Sequence, residues 1–474
     1  MKFLHLADIH LGRSLHEQSL EEDQRAMIDQ LIAALAGDDW AGLILAGDIY
    51  DRSLPSKEAV SLLNELLIRI HDGFPGLPVL MIPGNHDSAR RLAYGQDLFS
   101  KLGIHIVADP EAAFEPVVIE KNGERCACFL LPFLEPGCLR APKGEAAPKG
   151  EAAPKDNAVG MDGEDPKHDD APTHGGEPLR SQRELHREAA RRLEEARQEA
   201  LAAGADYSLL VAHLFAGGGT ESESERHFLG TAELVDIGAY RHFDYIALGH
   251  LHRRQKAGAN AWYAGSPLAW AFDEAGSPKG GLAVTLGEGK GDARKTEAGA
   301  GAAVAVPAGS EEIGPLRFSV EPVDFSPLHP LSRLCGRMDD FLDGRFGSRE
   351  AGIDYRKHYL EIQLEGDELV ENPLALLRHK FPLLLSVRQD RAFEALSQRD
   401  NKDSLPAERR ESQDLNADFE RFLSAIYGED HKREDEAALF AQLLEESANE
   451  EREQETVTDA PADGAQDTSR EGAE

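Results

Sequence analysis

Residues able to bind metal recur in this sequence at the ends of short apolar runs. Asp8 and His10 follow KFLHLA, and Asp48 and Asp51 follow GLILAG. Asn85, His86 and Asp87 follow PVLMIPG; His213 ends YSLLVAH; His250 and His252 follow DYIALG. A single DxH or GD pair is commonplace, and a lone histidine is more often a satisfied core residue than a ligand. The ordered set DxH, GDxxD, GNHD, H and GHxH is far more specific than any of its parts. The chemistry it suits is phosphodiester hydrolysis, which needs a nucleophile and neutralisation of developing charge. Two cations about 3.5–4 Å apart supply both. Such a pair needs a bridging carboxylate, a role that Asp48 suits, and mixed imidazole and carboxylate ligands favour ions such as manganese, iron or zinc. Glycines beside Asp48, Asn85 and His250 let the backbone turn sharply near them.

The apolar runs and the segments between them predict the scaffold. KFLHLAD (2–8), GLILAGD (42–48), PVLMIPG (78–84) and IHIV (104–107) read as strands, and Asp23 to Leu35 and Ser56 to Ile70 carry helical spacing. This alternation predicts an α/β layered domain over residues 1–287. CACFLLP, YSLLVAH (207–213) and DYIALGH (244–250) continue the strand series, and 182–203 reads as a charged helix. In open α/β sheets, sites assemble beyond the carboxyl ends of the strands, so the five segments can converge. Residues 139–178, with their APKGEA repeat, cannot bury a core and are expected to be a disordered surface insertion. Residues 288–315 read as a linker. A small α+β domain is predicted over 316–398, with RFSVEPVDF, HYLEIQLEG and LLLSVRQD as strands and Leu331 to Phe346 and Pro373 to Lys380 as helical pieces. Two apolar stripes follow within 410–447: Leu415, Phe419, Phe422, Leu423, Ile426 and Tyr427, then Ala437, Phe440, Leu443 and Leu444. Residues 448–474 are expected to be a disordered acidic tail.

The formal net charge of −35 argues against passive, non-specific adhesion to DNA. Residues 401–474 hold 8 Lys/Arg against 22 Asp/Glu, which makes the tail the poorest surface for a polyanion. The first residues lack the apolar core of a signal peptide, and no run approaches the roughly 18 apolar residues of a membrane span. A cytoplasmic location is therefore expected, with no membrane partner. The four cysteines show no zinc spacing and read as reduced thiols. No P-loop is present, so any ATP hydrolysis must come from elsewhere.

The ordered motifs resemble the calcineurin-like metallophosphoesterase superfamily. Within it, GDIYDRSLPS, YIALGHLHRRQ and WYAGSPLAWAFDEAG (262–276) resemble the SbcD family of nucleases. The resemblance is strong over roughly 1–135 and 205–285 and looser over 316–395. It implies two divalent metal ions, manganese first and magnesium as an alternative. One would be held by Asp8, His10 and His252, the other by Asn85, His213 and His250, with Asp48 between them. It implies that His86 is catalytic without being a ligand, acting as a proton donor or a transition-state contact. Asp51 and Asp87 would orient their neighbours, with a purely structural role equally open. It also implies exonuclease and endonuclease action on double-stranded DNA ends and on single-stranded or hairpin DNA, in DNA repair, replication and recombination. The implied assembly is a homodimer within a heterotetramer containing an SbcC-type coiled-coil ATPase, and 316–398 would be a capping domain. The alternatives are a small-molecule phosphodiesterase or phosphatase on the same fold, and a non-catalytic DNA-end scaffold subunit. The full ligand set argues against the scaffold, and the additional domain argues against the small substrate.

Overall fold

In the computed structural model the described residues are 1–142, 176–217, 234–287, 318–344, 353–366, 369–389 and Phe440. Met1–Ala392 form one unit and Phe393–Glu474 a second. The linker at 288–315, the tail at 448–474 and the stripes within 410–447, Phe440 apart, lie outside the described residues.

The first unit begins with strand β1 (Lys2–Leu6), a small hairpin of β2 (Ser14–Leu15) and β3 (Gln18–Ser19), and helix α1 (Glu21–Ala36). Strand β4 (Gly42–Ala46), helix α2 (Lys57–Gly73) and strand β5 (Val79–Ile82) follow. The short helices α3 (Ala89–Leu92) and α4 (Gln96–Ser100) lead to β6 (Ile104–Ile106). The next strands are β7 (Val117–Lys121) and β8 (Glu124–Leu131), then helix α5 (Gln182–Ala202) and strands β9 (Tyr207–His213) and β10 (Tyr245–Gly249). After them come β11 (Gln255–Lys256), β12 (Ala261–Tyr263), β13 (Lys279–Leu286) and β14 (Phe318–Phe325). The last elements are β15 (Leu331–Gly336), α6 (Met338–Asp343), β16 (Tyr359–Leu364), α7 (Pro373–Arg378) and β17 (Leu384–Arg388).

Two six-stranded sheets result, in the orders β14-β13-β1-β4-β5-β6 and β11-β12-β10-β9-β8-β7. Their centres, β1-β4-β5-β6 and β8-β9-β10-β12, are parallel. β4, β5, β9 and β10 are buried at every position. That is why they read as near-continuous apolar runs: a parallel strand covered on both faces has no solvent side. Phe3, Ile44, Leu80 and Ile82 of one sheet meet Cys128, Leu209, Val211 and Ala247 of the other. The outer face of the first sheet carries α1 and α2 through Met27, Ile28, Leu62 and Leu66. The second carries α5 through Leu185, Ala189 and Leu193. The unit is thus an α/β/β/α sandwich. Two helices start where the sequence supplies caps: Ser56 Oγ accepts from Ala59 N, and Ser181 with Glu184 forms a capping box.

Three features differ from the sequence reading. β14, grouped there with the small domain, pairs antiparallel with β13 along its whole length and forms the edge of the first sheet. Leu331 to Phe346 is not one helical piece, because its first six residues are strand β15, parallel to β16. The three-stranded sheet β15-β16-β17 packs α6 and α7 around Phe341, Leu360, Ile362, Leu377 and Phe381. The third difference lies at the insertion. Ala141 N donates to Glu177 O at 2.9 Å and Leu179 N to Leu139 O at 2.9 Å. Leu139 and Leu179 are buried in the core beneath α5. Both ends of the 139–178 segment therefore belong to the fold, and 143–175 lies outside the described residues.

Candidate metal centre

The site lies where the carboxyl ends of both sheets meet. β1, β4 and β5 deliver Asp8, His10, Asp48 and Asn85, and β9 and β10 deliver His213, His250 and His252. The chain leaves these strands in strained turns. Asp8 (φ 54°), His10 (φ 40°), Asp48 (φ 48°) and His250 (φ 109°) all adopt positive φ, a conformation that costs a side-chain-bearing residue on the order of 1–3 kcal/mol. Neighbouring hydrogen bonds hold them there. Asp8 N donates to Gly47 O at 3.1 Å, His10 N to Asp48 O at 3.0 Å, and His250 N to Asp8 Oδ1 at 2.9 Å. The glycines beside them are required by space. A Cβ on Gly84 would lie 2.2 Å from Asp48 Oδ1, and one on Gly249 would lie 1.8 Å from the Ala46 carbonyl oxygen.

All seven expected ligands converge, together with His86. Asp8, His10 and His252 present ligand atoms within 4.8 Å of one another, as do Asp8, Asp48 and His213, and His10, Asp48 and His86. Asp48 Oδ2 lies 3.5 Å from His213 Nε2, 3.6 Å from His10 Nε2 and 4.0 Å from His86 Nε2. Asn85 Oδ1 lies 3.0 Å from His213 Nε2 and 3.1 Å from His250 Nδ1. Asp8, His10, Asp48, His213, His250 and His252 are buried, whereas Asn85 and His86 are half-buried.

The protonation states follow from the partners. A carbonyl oxygen can only accept, so His213 Nδ1 donates to Ala46 O at 3.0 Å and His86 Nδ1 to Asp51 O at 2.9 Å. In the neutral rings the Nε2 lone pairs then face the cavity. Burial pushes the His10 and His213 imidazoles below their usual value and His250 down to about 3. Burial alone would raise Asp48, but its surroundings, the His213 and His86 side chains first and then the hydrogen bond donated by His86 N, keep the carboxyl below its usual range. Neutral imidazoles around an ionised carboxylate are the forms that bind a cation.

The donor set fits divalent ions. His10 Nδ1 and His250 Nε2 are buried without a hydrogen-bond partner, although a buried polar atom ordinarily has one. His213 Nε2 and Asn85 Oδ1 are two acceptors in contact, an arrangement that a shared cation relieves.

Asp87 and Asp51 have different surroundings. The Asp87 carboxylate accepts from Ile49 N, Tyr50 N and Gly84 N at 2.8–2.9 Å, tying the turn after β4 to the turn after β5. The Asp51 carboxylate accepts from Arg13 Nη1 at 2.7 Å, and it is the Asp51 backbone carbonyl that holds His86.

The sequence reading assigned no role to Trp270, Glu274 or Lys279. Trp270 Nε1 donates to Asp8 O at 3.0 Å, and the Trp270 ring packs edge-on against His10. Glu274 Oε1 lies 3.1 Å from His252 Nδ1. Trp270 and Glu274 fall within WYAGSPLAWAFDEAG and Lys279 just after it, but nothing in their spacing marks them as partners of His10 or His252.

This sandwich with a His/Asp/Asn cluster at its strand ends defines a metal-dependent phosphoesterase. The chain belongs to the calcineurin-like phosphoesterase family, whose profile matches residues 1–254. Over 389 residues it is 28% identical to the SbcD subunit of the nuclease SbcCD from Staphylococcus saprophyticus, covering 82% of this chain and 84% of that protein. A solved structure, a hypothetical protein from Thermus thermophilus, aligns with 56% of this chain and 76% of its own, at 15% identity and a TM-score of 0.28. Among the described residues no helix is long and apolar enough to cross a membrane.

Proposed function

We propose that this chain is the nuclease subunit of an SbcCD-type complex, cleaving DNA ends and hairpins by two-metal phosphodiester hydrolysis with an SbcC-type ATPase. The observation that carries this reading is the convergence of six side chains of metal-ligand type, Asp8, His10, Asn85, His213, His250 and His252, around a seventh, Asp48, the carboxylate between the two sets. The likeness to the staphylococcal SbcCD nuclease subunit, which spans most of both chains, supports the substrate and the partner.

Asp8, His10 and His252 would hold one ion and Asn85, His213 and His250 the other, with Asp48 bridging. Manganese is the ion proposed first, since imidazole and carboxylate together suit it better than magnesium. When bound, such a pair activates water and neutralises the phosphate. The protein's own part is to hold this centre dry and rigid. His86 presents Nε2 at the half-open edge of the site, its ring fixed through Nδ1, and would contact the scissile phosphate or protonate the leaving oxygen. Arg13, clamped by Asp51 and lying over the Trp270 ring, adds a fixed positive charge near His10.

The test is a metal-dependent nuclease assay on linear duplex and hairpin DNA, beside a panel of nucleotides and phosphomonoesters, with and without the ATPase. Manganese-dependent DNA cleavage is expected. Turnover of nucleotides alone, with intact DNA, would overturn the reading.

A further inference from the structure

We infer that Glu274 and Lys279 are positioning residues for His252 and so set the affinity of one of the two cation sites. This rests on the two-metal reading above.

His252 is nearly fully buried, and its Nδ1 lies 3.1 Å from Glu274 Oε1. An ionised carboxylate only accepts, so Nδ1 carries the proton and Nε2 is left to face His10 and the cavity. Glu274 is itself fixed. Its Oε2 accepts from Lys279 Nζ at 2.5 Å and from Trp270 N at 3.1 Å. Lys279 Nζ also donates to His252 O at 3.0 Å and to Ser266 Oγ at 2.9 Å, so each of its three N–H bonds has an acceptor. One ammonium thus grips both the carboxylate behind the ring and the backbone of the residue that carries it.

Neither residue is needed for packing as a charge. Glu274 is fully buried and Lys279 is 6% exposed. Desolvating such a pair costs several kcal/mol per ion, and well-packed apolar side chains would usually serve stability as well or better. A buried carboxylate behind a ligating histidine has a different use: it fixes the tautomer, aims the ring and raises its basicity toward the metal. Both residues also lie beyond residue 254, where the family match ends. They line a cleft of about 780 Å³ that reaches His329 and Arg333 at the small sheet. The support of this ligand is therefore supplied by the start of β13 and the turn before it, which face the small sheet across that cleft.

The experiment is calorimetric titration of the metal-free full chain with manganese. The variants are Glu274→Asp, which withdraws the carboxylate while keeping its charge, and the double variant Glu274→Gln with Lys279→Met, which removes both charges together. A thermal melt of each metal-free variant checks the fold. The wild-type chain is expected to bind two ions. Each variant is expected to bind two, with one site weakened about 10- to 100-fold and the other unchanged, the usual effect of losing such a support. Unchanged affinities at both sites in a folded variant would overturn the proposal and leave the two-metal reading standing. Equal weakening of both sites would also overturn it, because that is the signature of a loosened fold. A wild-type chain that binds no manganese would sink the two-metal reading itself.

Discussion

Asp48 is within 4.0 Å of three imidazoles, and the glycines beside it leave no room for a side chain: a Cβ on Gly84 would strike Asp48 and one on Gly47 would strike His213. His86 differs from the other histidines of the site in facing the half-open edge, and its ring is held by the Asp51 carbonyl much as that of His213 is by Ala46. These environments predict separable losses. Asp48→Asn should weaken metal binding and abolish cleavage together. His86→Gln should keep both metals and DNA binding but lower the cleavage rate about 10²- to 10⁴-fold, the usual worth of a positioned proton-transfer group. Metal stoichiometry decides: loss of one manganese equivalent in His86→Gln, with both retained in His213→Gln, would make His86 the ligand instead. A second prediction concerns a histidine of α5, outside the candidate site. Burial lowers His186, packed against the Tyr240 hydroxyl, to about 4. In the unfolded chain it takes up a proton near pH 6.5, whereas in the folded chain it stays neutral until about pH 4. Stability is therefore complete above pH 6.5 and falls as pH drops between these values, by up to about 3 kcal/mol from this residue. Urea unfolding across that range should show the decline, and His186→Gln should flatten it. At this scale the convergence of the candidate ligands was legible in the sequence, because strand ends carry them at short spacings. The Glu274–Lys279 support was not legible, since only the folded loop brings that pair behind His252.

At the scale of elements, the buried parallel strands were readable because each is a short apolar run between turns. The segment from Leu331 was not. Leu331, Leu334, Met338 and Phe341 fall at helical spacing, yet pairing of Leu331–Gly336 with β16 wins, an override of local pattern by tertiary context. β14 was read as a strand, but its place in the first sheet was hidden, because its partner β13 lies across a long connection in the sequence. The insertion shows how far composition reaches. The APKGEA repeat marked a segment without core-forming residues, but Leu139 and Ala141 at its start are core, and Glu177 near its end is tied to Ala141 just before the buried Leu179. Replacing 143–175 with a short linker should leave thermal stability and metal-dependent activity nearly unchanged. Removing all of 139–178 deletes the fully buried Leu139 and should cost about 2–5 kcal/mol, the range for emptying such a position. Equal melting temperatures for the two deletions would refute this.

At the scale of the molecule, self-association is expected from the family resemblance, and the structure narrows where it could occur. Leu63, Leu66, Leu67 and Ile70 of α2 are spent on the domain's own core. Val60 and Ile68 on α2 and Leu98 on α4 remain 47%, 51% and 63% exposed. A specific interface needs roughly 800 Å² from each partner, so these side chains would be its apolar centre rather than its whole. Light scattering at micromolar concentration should report a dimer, and Leu98→Glu together with Ile68→Glu should yield a folded monomer. A wild-type monomer under those conditions would remove the expectation.

The proposed ligands come from both layers of the sandwich. Asp8, His10, Asp48 and Asn85 rise from one sheet, His213, His250 and His252 from the other, across a seam so tight that a methyl group on Gly249 would strike the Ala46 carbonyl. Ions bound there would act as rivets through two plates, and the plates could not slide or part without breaking coordination. Catalytic loading and mechanical strength would then be one property. A ligand present at about 100 times its dissociation constant adds about 2.7 kcal/mol to the folded state. Stripping the metal with a chelator should therefore lower the melting temperature of the whole sandwich rather than free a few loops. Restoring manganese should raise it again, in proportion to the logarithm of its concentration.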